Sequence, residues 1–187
     1  ILVGPKLDDD DIIRASAVVP TVVVASGRDN PGADTITTDE ERGAALAVQH
    51  LVELGHTDIV HIDGAANISS RARSRGYEKA MRSLGLEPRI LRGGDDEADA
   101  EAAIVNLAET DSMPTAIFAF NDLVAAGALS TLEAAGLRVP DDVSVVGYDN
   151  TFIAELNHMS LTTVNQPRHQ MGQLAIRTVL ELSLIHI

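Results

Sequence analysis

Two apolar runs in this chain end in amides or carboxylates, and those tips concentrate its chemistry. The first is Pro114-Thr-Ala-Ile-Phe-Ala-Phe-Asn121-Asp122; the second is Pro140-Asp-Asp-Val-Ser-Val-Val-Gly-Tyr-Asp149-Asn150. Asn121 can donate and accept hydrogen bonds, which suits hydroxyl-rich or amide ligands. The Asp149 carboxylate can accept two bonds, from vicinal hydroxyls or from a base edge. Each tip also has a plainer reading. Asn121 and Asp122 are both good helix N-caps, and one of them can cap while the other faces a cleft. Asp149 also reads as a turn residue in Tyr-Asp-Asn, but its position at a strand tip favours the ligand role. A third group is Arg71, Arg73 and Arg75, which follow the strand end Asp63-Gly64. Such a run is usually a solvated basic face. Alternate residues at a helix entry point in different directions, so at least one faces the strand tips. A guanidinium there can hold a ligand oxygen or phosphate bidentately.

These tips need a frame. Ile1-Leu-Val-Gly-Pro5 reads as a buried strand, and Thr21-Val-Val-Val24 as a second. Between them, four carboxylates at 8–11 precede a short helix that ends before Pro20. Their pattern suggests a cation site less than it suggests acidic residues complementing a helix dipole. A polar loop covers 26–34. Asp39 caps a long helix with Ala44, Val48, Leu51 and Val52 near helical spacing, and Gly55 stops it. The pattern then repeats: a strand at 59–62, a helix stopped by Gly85, a short strand at 89–91 and a helix from 95–101 to about 108. The two opening runs follow as strands, with a helix between them that Gly136 stops. Leu161-Thr-Thr-Val164 is a further strand, and Pro167 opens a last helix. Strands alternate with helices, and several strands are continuous apolar runs. Both facts predict an α/β fold of doubly wound parallel sheets. In such sheets ligands bind beyond the carboxyl ends of the strands.

Composition narrows the function. The 187 residues allow one ordinary domain or two small ones. Hydrophobic residues make up 45% and aromatics only 3%, so the core must be built mostly from Val, Ile, Leu and Ala. Cysteine is absent, which removes disulfides and thiolate metal sites and fits a reducing compartment. A formal net charge of -14 repels phosphate backbones, so this stretch alone is not expected to bind nucleic acid. No apolar run approaches a membrane span, and no signal peptide opens the chain. The six histidines are not spaced as metal ligands. The chain has neither a Gly-x-Ser-x-Gly elbow nor a phosphate-cradling glycine loop. No cofactor, no metal and no enzyme activity are expected.

The order and spacing of these motifs resemble the effector-binding core of LacI/GalR-family transcriptional regulators. The resemblance rests on the two opening segments, on Leu161-Thr-Thr-Val-Asn-Gln-Pro167, on His50-Leu-Val-Glu-Leu-Gly-His-Thr-Asp-Ile-Val-His-Ile-Asp-Gly64, and on Arg73-Ser-Arg-Gly-Tyr-Glu-Lys-Ala-Met81. It covers the chain to Glu181. It implies two subdomains like those of type I periplasmic binding proteins. Residues 1–36 and 167–181 would form part of the N-terminal one, and 37–165 the C-terminal one. The closing Leu182-Ser-Leu-Ile-His-Ile187 is similar to the translation of a sequencing-library adaptor. Residues 182–187 are therefore expected to be a non-native tail, with a short C-terminal strand as the alternative. The family's effector contacts fall on Arg73, Asn121 and Asp149, with Gln166 at the cleft hinge. Where several relatives stack an aromatic ring on the ligand, this chain has Asp96. The implied partner is a small effector, a sugar or related polyol, bound between the subdomains of a cytoplasmic homodimer. Operator DNA would be held only by a helix-turn-helix headpiece outside this chain. The alternative is a periplasmic sugar-binding protein of an ABC transporter.

Overall fold

Short β-branched runs become strands here, and the amphipathic stretches between them become the helices that cover them. The computed structural model describes residues 1–5, 7–26, 29–109 and 112–185. The loop expected at 26–34 includes Gly27 and Arg28, and the expected tail includes His186 and Ile187; these four lie outside the described residues. In chain order the elements are β1 (Leu2–Val3), α1 (Asp9–Ser16), β2 (Val22–Val24), β3 (Asp34–Ile36), α2 (Glu40–Glu53), β4 (Ile59–Ile62) and α3 (Ile68–Ser83). They continue with β5 (Arg89–Leu91), α4 (Glu97–Glu109), β6 (Ala116–Ala119), α5 (Asp122–Ala134), β7 (Ser144–Asp149), β8 (Thr162–Asn165) and α6 (Arg168–Ile185). They pack as two compact units, Ile1–Asp39 with Pro167–Ile187, and Glu40–Gln166.

The first unit holds a parallel sheet in the order β1-β2-β3. Val22 and Val24 of β2 and Ile36 of β3 pack against Met171 and Ala175 of α6. The acidic run at 8–11 starts α1: Asp8 is its N-cap, accepting from the Asp11 N–H at 2.8 Å, and Asp9, Asp10 and Asp11 fill the first turn. Among the described residues, no group of three or more His, Asp or Glu is placed to hold a metal ion. At the other end α6 continues as helix through Leu182, which packs on the same cluster.

The second unit is a five-stranded sheet, all parallel, in the order β5-β4-β6-β7-β8. From β4 the chain steps outward to β5, then returns across β4 to place β6 on its other side. That reversal opens a crevice at the carboxyl ends of β4 and β6, the usual ligand position in open α/β sheets. Strand β6 shows why the sheet needs cover on both faces. Ala116 and Phe118 pack with residues of α2 and α3, while Ile117 and Ala119 pack with α4 and α5. All four are fully buried, and the period of two sends them to opposite layers. Burying a side chain the size of Phe118 contributes about 1.5–3 kcal/mol.

Glycine sets how closely the covering helices pack. A Cβ on Gly76 of α3 would lie 2.3 Å from the Glu41 carbonyl oxygen of α2. On Gly127 of α5 it would lie 2.6 Å from the Glu97 carbonyl oxygen of α4. Each helix pair therefore meets backbone to backbone, which sets the middle of α3 against the start of α2.

Candidate functional site at the strand tips

Arg73 lies in the second turn of α3 and is 3% exposed. A guanidinium so deeply buried requires matching groups, and each of its nitrogens finds one. Nε donates to Glu40 Oε2 at 2.6 Å, Nη1 donates to the Phe120 carbonyl oxygen, and Nη2 donates to Asp149 Oδ1 at 3.2 Å. The same group lies 3.7 Å from the ring centre of Tyr148 and 4.6 Å from that of Phe120, within cation–π range. Arg71 and Arg75 are exposed, and Arg75 pairs with Glu41 at 2.9 Å. Of the three arginines, the middle one faces the strand tips.

Asp149 ends β7 with φ at 101°, and Asn150 follows at 50°. Two successive non-glycine residues at positive φ are uncommon and mark a backbone held by its surroundings. Asp149 Oδ1 accepts from Gln166 Nε2 at 2.6 Å as well as from Arg73. Its side chain keeps 28% exposure, and Oδ2 takes no hydrogen bond from the described residues. Burial pushes the Asp149 carboxyl above the usual carboxylate range, against the opposing pull of Arg73 and Gln166. Tyr148, just before it, turns to the other face of the strand. Burial raises its hydroxyl well above the ordinary phenol range, and Glu40 adds to the shift.

Asn121 takes the capping role. Its Oδ1 accepts from the Val124 N–H at 2.7 Å at the start of α5, while Nδ2 donates to the Asp95 carbonyl oxygen at 3.2 Å. Asp122 turns inward, fully buried, and not toward a cleft. Asp96 is exposed at the start of α4, where Oδ1 accepts from the Asp99 N–H at 3.0 Å. The fold thus joins Arg73, Asp149 and Gln166 in one network and ties Asn121 to the loop before α4. Asp96 stays outside that network as a helix cap.

Sequence reasoning misses Glu40, Tyr148 and Asp122. Glu40 is 33 positions from the arginine it pairs with, and its only local signal is a place in the first turn of α2. Tyr148 is legible in principle, since alternation along β7 sets it opposite Asp149. Asp122 reads in the sequence as one half of an interchangeable pair.

The periplasmic binding protein-like domain family matches residues 48–184. The HTH-type transcriptional repressor PurR of Aliivibrio fischeri is 38% identical over 176 residues, covering 91% of this chain and 52% of the repressor. The chain spans about half the length of the curated relatives it matches. A LacI transcriptional regulator from a Rhodococcus species superposes with a TM-score of 0.91 at 38% identity, over 96% of this chain and 68% of that one. A LacI family regulator from Enterococcus faecium, solved with bound ribose, gives a TM-score of 0.78 at 30% identity, over 87% of this chain and 61% of that one. With the α/β architecture, the ordered strand tips and these likenesses in agreement, the chain belongs to the LacI/GalR family of transcriptional regulators and carries its periplasmic-binding-protein-like effector-binding region.

Proposed function

We propose that this chain senses a small, uncharged, polyhydroxylated effector, a sugar or related polyol, for a DNA-binding regulator. The effector is held at the carboxyl edge of the five-stranded sheet by Asp149, Arg73, Gln166 and Asn121, with Asp96 at the rim. The half-engaged carboxylate of Asp149 carries this reading. Oδ1 is fixed by Arg73 and Gln166, which leaves Oδ2, without a hydrogen bond from the described residues, to accept from a hydroxyl. The charge of Arg73 is already matched by Glu40 and Asp149. These residues therefore offer no unmatched cation to a phosphate or carboxylate, which favours an uncharged ligand. Ribose bound to the Enterococcus faecium relative supports the same class.

In the longer protein, residues 1–36 and 167–181 contribute to the N-terminal subdomain and 37–165 form the C-terminal one, with 182–187 a non-native tail. Effector binding changes operator affinity through a helix-turn-helix headpiece in a cytoplasmic homodimer. Such coupling is typically about 1–3 kcal/mol. The chain binds and does not catalyse. The relatives reported above are named as transcriptional regulators, which disfavours a transporter component, and no described helix is long and apolar enough to cross a membrane.

The test is a thermal-shift panel of neutral sugars and polyols, ribose first, with sugar phosphates as the opposing arm. A ligand at 100 times its Kd adds about 2.7 kcal/mol of stability. A neutral sugar should raise the melting temperature of the wild type and leave Asp149→Ala unmoved. Stabilisation by the phosphates alone, or an undiminished response in Asp149→Ala, would defeat the assignment.

A further inference from the structure

We infer that Asp122 is a positioning residue for effector binding: it fixes the backbone turn that presents Asp149. The inference rests on the reading of Asp149 as the effector carboxylate.

Asp122 opens α5 but does not cap it, because Asn121 does. Its carboxylate is fully buried and reaches away from its own helix to the turn that follows β7. Oδ2 accepts from the backbone N–H of Thr151 at 2.5 Å and from its hydroxyl at 2.9 Å. Oδ1 accepts from the Thr163 hydroxyl of β8 at 2.6 Å. The Thr163 oxygen in turn accepts from the Asn150 N–H at 3.3 Å. One carboxylate thus anchors Thr151 directly and Asn150 through a single hydroxyl, immediately after Asp149. Asp149 and Asn150 are the successive pair held at positive φ. A side chain cannot relax out of that conformation without moving the groups that Asp122 grips.

An acidic residue in the first turn of a helix needs no such partners, since the helix dipole favours it at the surface. A buried carboxylate is tolerated only when its lone pairs are matched, and here all three direct donors come from the turn and from β8. Space is tight as well: a Cβ on Gly147 of β7 would lie 2.6 Å from Asp122 Oδ1. The absence of a side chain on β7 lets the carboxylate pass beneath the strand to reach the turn.

The experiment compares Asp122→Asn, Thr163→Val and Thr163→Ser in this chain with ribose as the probe. Asp122→Asn keeps the shape but must present an N–H where one donor now points. Thr163→Val removes the relay to Asn150, and Thr163→Ser restores it. In the folded Asp122→Asn and Thr163→Val proteins, two ligand-free signals should change. The three-bond amide coupling of Asn150 should leave its left-handed value, and the NMR titration of the Asp149 carboxyl carbon should shift. Ribose affinity should fall roughly tenfold, the scale of one misplaced charge-assisted hydrogen bond, and Thr163→Ser should recover both signals and the affinity. Unchanged coupling and titration in either folded variant overturn the positioning role, whatever ribose does. Ribose affinity that falls in Asp149→Ala but holds in Asp122→Asn also overturns it, and leaves the effector reading standing. Affinity that survives Asp149→Ala removes the effector reading itself. If Asp122→Asn does not fold, Thr163→Val with its serine rescue decides the question by the same signals.

Discussion

At the end of β6 the fold engages both polar residues, Asp122 fully buried and Asn121 as a helix cap, whereas at the end of β7 Asp149 keeps one oxygen without a partner among the described residues. Asn121 caps α5 and ties down the loop before α4, and Asp122 anchors the turn opposite. Asp149 offers one oxygen to the fold and keeps the other for solvent. The two tips look alike in sequence, each an apolar strand followed by Asn and Asp in some order. What separates them is which face of the sheet edge the backbone turns them to. The α5 helix starts at once after β6 and draws its polar residues into cap and core. After β7 no helix follows directly, and a pair of left-handed residues swings the carboxylate outward. A polar strand tip therefore keeps more of its hydrogen-bonding capacity for a ligand where the next element does not claim it.

The sharpest way to break this contrast is through Arg73, which touches both tips through the Phe120 carbonyl and Asp149. Arg73→Met leaves Glu40 and Asp149 without their cation and should cost about 3–5 kcal/mol in urea unfolding, the range for an uncompensated buried charge. A loss under about 1 kcal/mol would mean that the tips are not joined through this residue. The next effect tests the fold-bearing side alone. His61 on β4 is fully buried, stacked on Phe118 at 4.6 Å, with Nδ1 2.9 Å from the Phe118 carbonyl oxygen. Burial lowers its pKa from 6.5 to about 4. The fold thus holds the imidazole neutral, and the unfolded chain takes up a proton first. Stability is complete above pH 6.5 and falls as the pH drops toward 4, by about 3 kcal/mol in all. His61→Phe should flatten that part of the stability profile; an unchanged slope would place the acid sensitivity elsewhere. The smallest effect concerns the cap. Asn121→Ala should cost about 1 kcal/mol and Asn121→Asp much less, both read by thermal unfolding. Equal losses in the two variants would show that the amide's donor, not its capping oxygen, is what matters at β6.

Much of the frame is legible from residue patterns. Continuous apolar runs give parallel strands, glycines mark helix ends, and direction alone requires one of the three arginines to face inward. The family resemblance singles out Arg73 and adds Gln166. The partners are not legible, because they are matters of tertiary distance. Nothing near Glu40 announces Arg73, and nothing near Asp122 announces Thr163, which lies 41 positions on. The left-handed pair at Asp149 and Asn150 is hidden for a different reason. Asp and Asn tolerate positive φ better than most residues, but that weak preference does not fix two in succession, and the surrounding bonds impose it.

The strand order has a consequence in time. Within the five-stranded sheet β4 and β5 emerge first and pair, and the other edge of β4 must wait until residues 116–119 arrive to cover it. For that interval a strand apolar but for His61 presents bare backbone on one side, the kind of edge that recruits other chains. The centre of the finished sheet is thus an open edge of the nascent chain until β6 closes it.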